Sequence, residues 1–264
     1  MIAMITVVCV YNNRKTFAGC LLKSLKIQTA KHERIMIDNT HGEFESAAKA
    51  LNYGGRKARG KYILFVHQDV GFSSPGVLGA IEKALDALPN LGIAGVAGNS
   101  GEIRRTASNI RHGRPLRAVG RMRVDAPMKV QTLDECLVVV PRKVFKTLKF
   151  DEHACSGWHL YAVDYSLSAK KLGFDAYVLP VTIRHLSKGA MDKNYYLSLR
   201  KVLKKHNNAG WIYTTNGFWN ACAPISLQRI RCFQLLAMGM MILLNDGVLI
   251  FFQDLHWFLF VKGR

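Results

Sequence analysis

Apolar positions along the chain alternate between two periods. Ile5 to Val10 is an unbroken apolar, β-branched run, and after Tyr11-Asn12-Asn13 the apolar residues Phe17, Cys20, Leu21 and Leu25 recur at helical spacing. That predicts strand, loop, helix. Arg34 to Ile37 reads as a second strand ending at Asp38, a helical stretch follows to about Asn52, and Lys61 to Val66 is a third strand running into His67-Gln68-Asp69. Pro75 to Leu88 predicts another helix, and Leu91 to Gly98 a buried, glycine-crowded strand. Strands alternating with helices imply an α/β fold with a parallel sheet covered on both faces, in which ligands bind beyond the carboxyl ends of the strands. Asp38 and Asp69 both stand at such ends.

The periodicity fades from Glu102 to Arg123, where Arg104, Arg105, Arg111, Arg114, Arg117, Arg121 and Arg123 form a basic loop or lobe. Regular patterning returns at Lys129 to Val140, followed by a helix opened by Pro141, a helix around Trp158 to Leu172, and a strand from Phe174 to Val181 leading to His185. The compact domain ends near Gly189, so the chain divides into 1–190 and a helical, amphipathic extension, 191–264. In that extension a helix is predicted from Lys193 to His206, and the apolar runs Leu235 to Leu244, Gly247 to Phe252 and Trp257 to Val261 follow. None reaches the roughly 18 to 20 residues of a membrane-spanning helix. Interrupting polar residues and the flanking Arg229, Arg231, Lys262 and Arg264 fit a surface anchor, and fit equally a pair of helices packed on the domain or across a homo-oligomer.

Composition narrows the partners. Hydrophobic residues at 49% describe a globular chain, and 37 Lys plus Arg against 18 Asp plus Glu give +19, which favours an anionic partner: nucleic acid, an anionic membrane face or a phosphorylated small molecule. Nucleic acid is disfavoured because the aromatics sit in apolar runs rather than among the basic segments. A dinucleotide-dependent oxidoreductase is disfavoured too, since Tyr11-Asn12-Asn13 stands where a GxGxxG turn belongs. Six cysteines without a CxxC pair read as reduced thiols, and Met1 to Val8 has no basic n-region or cleavage site, so a cytoplasmic protein is expected.

Three residues carry candidate chemistry. An Asp just past a central strand, as Asp69 is, can reach a divalent cation that also holds the phosphates of a nucleotide diphosphate. His185 begins a loop at another strand end, and an imidazole beside a carboxylate suits Mn²⁺ more than Mg²⁺. Asp164 lies on the helix whose buried stripe is predicted as Leu160, Val163, Leu167 and Leu172, and its carboxylate is available as a general base. Each alone is equally an ordinary structural residue.

The ordered set says more. Val7-Val-Cys-Val-Tyr-Asn-Asn13, Met36-Ile-Asp38-Asn, Ala58 through Lys61-Tyr-Ile-Leu-Phe-Val-His-Gln-Asp69-Val, Leu133-Asp-Glu, Phe150-Asp-Glu, Gly157-Trp158 through Asp164, and His185-Leu-Ser-Lys-Gly resembles family 2 of the glycosyltransferases, in the branch whose DxD element is written His-Gln-Asp. The match runs from about Ile5 to Gly189. The resemblance implies a GT-A fold, a Rossmann-like mixed sheet flanked by helices. It implies an inverting transfer from a nucleotide-diphosphate sugar to a hydroxyl of a glycan or lipid-linked acceptor, in cell-surface polysaccharide assembly at the inner face of the membrane. By position, Asp38 would bond the donor base, Val10, Tyr11 and Asn12 would wall the nucleotide pocket, and His67 and Gln68 would lie on the donor side. Asp69 and His185 would hold the metal, Asp164 would be the catalytic base, and Asp134 and Trp158 would shape the acceptor side. The chain departs from the pattern where His67 replaces the first DxD aspartate and where Ala162-Val163 precedes Asp164 in place of the usual Glu. A nucleotide-sugar-binding protein without turnover remains an alternative.

Overall fold

A computed structural model describes residues 4–101, 106–113, 115–120, 122–187, 189 and 191–228. Its main sheet has seven strands in the order Met128–Val130, Asp175–Val178, Leu91–Gly95, Leu137–Pro141, Tyr62–Val66, Ile5–Tyr11, His32–Asp38. Ile5–Tyr11 pairs in parallel with both neighbours, as the alternation of strands and helices predicts. The sheet is mixed, as the family resemblance implies, and not the parallel sheet that periodicity suggests, because Leu137–Pro141 runs antiparallel to both Tyr62–Val66 and Leu91–Gly95. Between Leu91–Gly95 and Leu137–Pro141 the chain passes through short strands instead of the crossover helix that a parallel return requires, so it re-enters from the opposite end.

Side chains alternate across the sheet and build two cores. Val8, Ile63, Phe65 and Val138 face the helices Ala47–Lys57, Arg142–Thr147 and Tyr161–Lys171, while Val7, Leu64 and Val139 face the helical segment 14–26 and the helix Val77–Asp86. Phe150 centres the first core, its ring 5.0 Å from Phe65, 5.5 Å from Tyr161 and 5.0 Å from Tyr165. Gly54 lets the helix Ala47–Lys57 lie close on the sheet, since a Cβ there would meet Val8 Cγ1 at 2.5 Å. The helix Tyr161–Lys171 is buried at every position from Tyr161 to Ala169, and Leu172, predicted to complete its stripe, is exposed instead.

Smaller sheets correct the reading of the middle region. The predicted strand Leu91 to Gly98 is two, Leu91–Gly95 and Ala97–Asn99, the second of which leaves the main sheet to pair with Thr106–Ser108 and Thr132–Leu133. The basic loop contains strands, with Arg111 in Ile110–His112 and Arg117 in Arg117–Ala118, whereas Arg104, Arg105, Arg114 and Arg121 lie outside the described residues. Ile110–His112 and Arg117–Ala118 join Val70–Phe72 and Ile183–His185 in a four-stranded sheet.

The chain continues past residue 190 on the same core. Helix Lys193–Lys205 and the hairpin Trp211–Thr214 with Gly217–Asn220 contribute Tyr195, Leu199, Val202, Leu203, Ile212 and Trp219 to the cluster built on Phe65 and Phe150. The extension is thus partly β and shares the first unit's interior. The segment read as an anchor or oligomer contact, 229–264, lies outside the described residues. Among the described residues, no helix is long and apolar enough to cross a membrane.

Candidate functional site

Backbone register brings Asp69 and His185 together across 116 positions of sequence. After Tyr62–Val66 the His67 N–H donates to the Cys136 carbonyl at 2.9 Å, and a turn closed by Val70 N–H on the His67 carbonyl at 3.2 Å reverses the chain. Val70–Phe72 then runs antiparallel to Ile183–His185 with Val70 opposite His185. Asp69 Oδ1 lies 3.3 Å from His185 Nε2, and its Oδ2 accepts the Ser187 N–H at 3.0 Å. His67, read from sequence as a donor-side residue, turns toward the same point: one ligand atom from each of His67, Asp69 and His185 lies within 4.8 Å of the other two.

The protonation states suit a cation. Tyr161 donates its hydroxyl to the Glu135 carbonyl at 3.0 Å, so His67 Nε2, 3.0 Å from that hydroxyl oxygen, is the donor to it and Nδ1 keeps a lone pair. Burial, and then the neighbouring His185, bring the His67 pKa down to about 4, so the ring is neutral at neutral pH. Burial raises the Asp69 carboxyl, but the hydrogen bond and charge of His185 outweigh it and hold the group below the usual carboxylate range. Two imidazoles and a carboxylate are a donor set that fits a borderline divalent ion such as Mn²⁺. The group to be bound would be held by His67, Asp69 and His185.

Two clefts meet at this triad. The first, about 490 Å³, is walled by Val10, Asn12, Thr16, Asn39, Gln68, Asp69 and Trp158. Gln68 fastens its floor: Oε1 accepts the backbone N–H groups of Asn12 and Asn13 at 3.1 and 2.9 Å, and Nε2 donates to Asn12 Oδ1 at 2.6 Å. Asn13 in turn caps the following helix by accepting the Thr16 N–H at 2.9 Å. Two sequence-predicted residues stand off the wall. Tyr11 stacks on Phe17, with ring centroids 4.3 Å apart, and Asp38 is engaged by Thr40 and Arg14. Asp38 Oδ1 accepts the hydroxyl and N–H of Thr40 at 2.7 and 2.9 Å while Oδ2 takes the Arg14 guanidinium at 2.8 Å, which together hold its carboxyl well below the usual range. Asn39, which sequence reasoning passed over, lines the cleft instead.

The second cleft, about 460 Å³, shares His67, Trp158 and Ser187 with the first and adds His185, Asp134, Glu135 and His159. Trp158 is 43% exposed and forms part of both walls. Asp134 Oδ1 accepts the Cys136 N–H and Oδ2 the Thr215 hydroxyl, each at 3.0 Å. Glu135 Oε1 is buried without a partner, and burial followed by the Asp134 charge pushes its pKa up to about 8 against the opposing N–H groups of Leu160 and Tyr161. Glu135, His159, Tyr161 and Ser187 were not singled out in the sequence. Their signal is adjacency, since each lies within three residues of a predicted site residue. A larger cavity, about 710 Å³, lies at the far sheet edge beside Lys129, Lys170 and His206, and contains none of the triad.

Asp164 requires correction. It is 1% exposed, its Oδ2 pairs with Lys205 Nζ at 2.9 Å and its Oδ1 with His206 Nε2 at 2.8 Å, and it lines neither cleft. A carboxylate buried between two basic side chains on the inner turn of a helix has no path to an acceptor hydroxyl. It anchors helix Tyr161–Lys171 to the end of helix Lys193–Lys205.

A family described as "Glycosyltransferase like family" matches residues 5–223. The chain belongs to this family. The matched span crosses residue 190 and includes the helix and hairpin packed on the first core. Among solved structures, the fold is similar to the mannosyltransferase PcManGT from Pyrobaculum calidifontis in complex with GDP-Man and Mn²⁺, with a TM-score of 0.52 and 14% identity over 97% of this chain and 79% of that one. It is also similar to TarS of S. aureus in complex with UDP-GlcNAc, with a TM-score of 0.54 and 15% identity over 75% of this chain and 65% of that one. These likenesses identify this glycosyltransferase-like chain as having the GT-A architecture, a mixed sheet flanked by helices. A curated relative, "ATP synthase subunits region ORF 6" of Fuscovulum blasticum, is 27% identical over 155 residues, 57% of this chain. The match spans 61% of that relative's length.

Proposed function

We propose that the chain is a metal-dependent, inverting glycosyltransferase that moves a sugar from a nucleotide-diphosphate donor to a hydroxyl of a glycan or lipid-linked acceptor. The observation that carries this reading is the position of the His67, Asp69 and His185 triad between two clefts, one for each substrate. The complexes of the two structural relatives, with GDP-Man and Mn²⁺ and with UDP-GlcNAc, support the donor class. In the first cleft the Gln68-fastened loop of Asn12 and Asn13, with Val10 and Asn39, receives the nucleotide. Asp38 and Arg14, each next in sequence to a wall residue, Asn39 and Asn13, would meet the base and ribose. Trp158 offers a flat apolar face at the junction, where a sugar ring can stack. A divalent ion, Mn²⁺ in preference to Mg²⁺, neutralises the leaving diphosphate when bound. His67 and His185 would offer imidazole nitrogens and Asp69 a charged carboxylate to hold it. The acceptor occupies the second cleft, where the proton acceptor must be found, since Asp164 is enclosed.

We assign the acceptor to cell-surface polysaccharide assembly and the protein to the cytoplasmic face of the membrane on the strength of the family and of the +19 charge. A nucleotide-sugar-binding protein without turnover is the second reading, favoured by the enclosed Asp164. Incubating the protein and Mn²⁺ with UDP-glucose, UDP-galactose, UDP-GlcNAc and GDP-mannose separates the two. Catalysed release of UDP or GDP is expected, and binding without release would favour the second reading.

A further inference from the structure

Resting on this transfer reading, we propose that His159, oriented by Asp192, is the catalytic base that takes the proton of the acceptor hydroxyl. The two side chains meet at the wall of the second cleft, with His159 Nε2 3.4 Å from Asp192 Oδ1. Asp192 is itself fixed, because it caps helix Lys193–Lys205 by accepting the Tyr195 N–H at 2.9 Å. The buried Tyr195 ring then stands edge-on to the imidazole, with centroids 5.7 Å apart and planes at 71°. On the other side the backbone turns sharply: Leu160 has φ +65°, a left-handed conformation that is uncommon outside glycine and clusters at functional sites. That turn starts helix Tyr161–Lys171 directly after His159 and leaves the imidazole in the cleft wall. The Asp192 carboxylate 3.4 Å from Nε2 favours the ring proton on that nitrogen, which leaves the lone pair on Nδ1.

The neighbouring carboxyls are poorer proton acceptors. Asp164 is enclosed by Lys205 and His206. Both oxygens of Asp134 already accept a hydrogen bond, from Cys136 N–H and the Thr215 hydroxyl. Glu135, with its pKa near 8, holds its proton at neutral pH and can donate a hydrogen bond to substrate instead. His159 is also about a quarter exposed, so the proton it receives has a route to water.

The step balances without any redox change. The acceptor oxygen forms a bond to the anomeric carbon as the bond from that carbon to the diphosphate oxygen breaks. The hydroxyl proton passes to His159 Nδ1, Asp192 offsets the imidazolium charge, and the electron pair leaves with the nucleoside diphosphate. Water can take the acceptor's place, so hydrolysis of the donor reads the same base.

The test follows UDP and GDP release from the four donors named above, with Mn²⁺, and the affinity for UDP or GDP with Mn²⁺ by calorimetry. In His159→Gln, turnover should fall on the order of 10²-fold or more while nucleotide affinity stays within about threefold. Asp192→Asn should lose roughly tenfold by the loss of orientation. Added imidazole should partly restore His159→Ala, a rescue that a packing role would not give. Turnover within about threefold of wild type in His159→Gln would overturn the assignment alone. So would a loss of nucleotide affinity equal to the loss of turnover. No release by the wild-type protein from any donor would overturn the transfer reading, and the assignment with it.

Discussion

Asp69 and Asp164 are both withdrawn from solvent, both are paired with histidine, and the two have opposite surroundings. Asp69 stands at a strand end with His185, a backbone N–H from Ser187 and the neutral His67, and among the described residues it forms no ion pair with a lysine or arginine. Asp164 has Lys205 and His206 against its two oxygens, and Lys205 is fixed further by Asp151 at 2.8 Å. A carboxylate flanked by two imidazoles, with two clefts in front, is arranged to receive a cation. One that already faces a lysine and a histidine is part of the scaffold. Burial and acidity alone therefore do not identify a catalytic residue, and the nature of the nearest cations does.

Substitution at the two positions should separate the roles most widely. Asp69→Asn should lower donor turnover on the order of 10³-fold, because it removes the one charged ligand of the cation, and should leave the thermal midpoint nearly unchanged. Asp164→Asn should do the reverse, costing about 3 kcal/mol of stability by leaving two basic groups without their carboxylate, with turnover of the folded fraction kept. Denaturant titration and initial rates on both variants read this directly. Equal losses of activity would erase the distinction.

Glu135 provides a smaller, pH-resolved contrast with Asp69. The folded protein keeps the proton on Glu135 up to about pH 8, whereas the unfolded chain releases it near the ordinary 4.5, so the folded state binds more protons across that window and stability falls as pH rises through it. Glu135→Gln, which cannot ionise, should reduce that fall by roughly 1 to 3 kcal/mol, measured as unfolding free energy at pH 5 and pH 8. An unchanged pH slope would mean that water reaches the carboxyl. The smallest effect is expected for Trp158→Ala. Its exposed ring supports little of the core, so stability should hold within about 0.5 kcal/mol while turnover falls roughly tenfold through loss of the stacking face.

Much of the fold was legible because the first three strands and their helices keep clean periods, and the strand ends they predict carry Asp38, His67, Gln68 and Asp69 as observed. Strand direction was not legible. Periodicity reports which residues face inward and is silent on which way a strand runs, so the antiparallel entry of Leu137–Pro141 is anticipated only by the mixed sheet that the family resemblance implies. The Asp69 and His185 pairing was accessible only through the family resemblance, since the register between two strands more than 100 residues apart has no local signature. The role of Asp164 is hidden from the sequence for a related reason. A helix buried on all sides shows no polar face, and the partners that enclose it, Lys205 and His206, lie in a stretch read as a separate extension. His67 was placed with the donor because the spacing of the element was legible and the direction of its ring was not.

The account turns on whether the triad binds a divalent cation. Calorimetric titration of Mn²⁺ into the protein with saturating UDP, and again with GDP, compares wild type, Asp69→Asn and Asp164→Asn. One Mn²⁺ per chain is expected in wild type and in Asp164→Asn with at least one of the two nucleotides, and none in Asp69→Asn. Undiminished Mn²⁺ binding by Asp69→Asn would contradict the account.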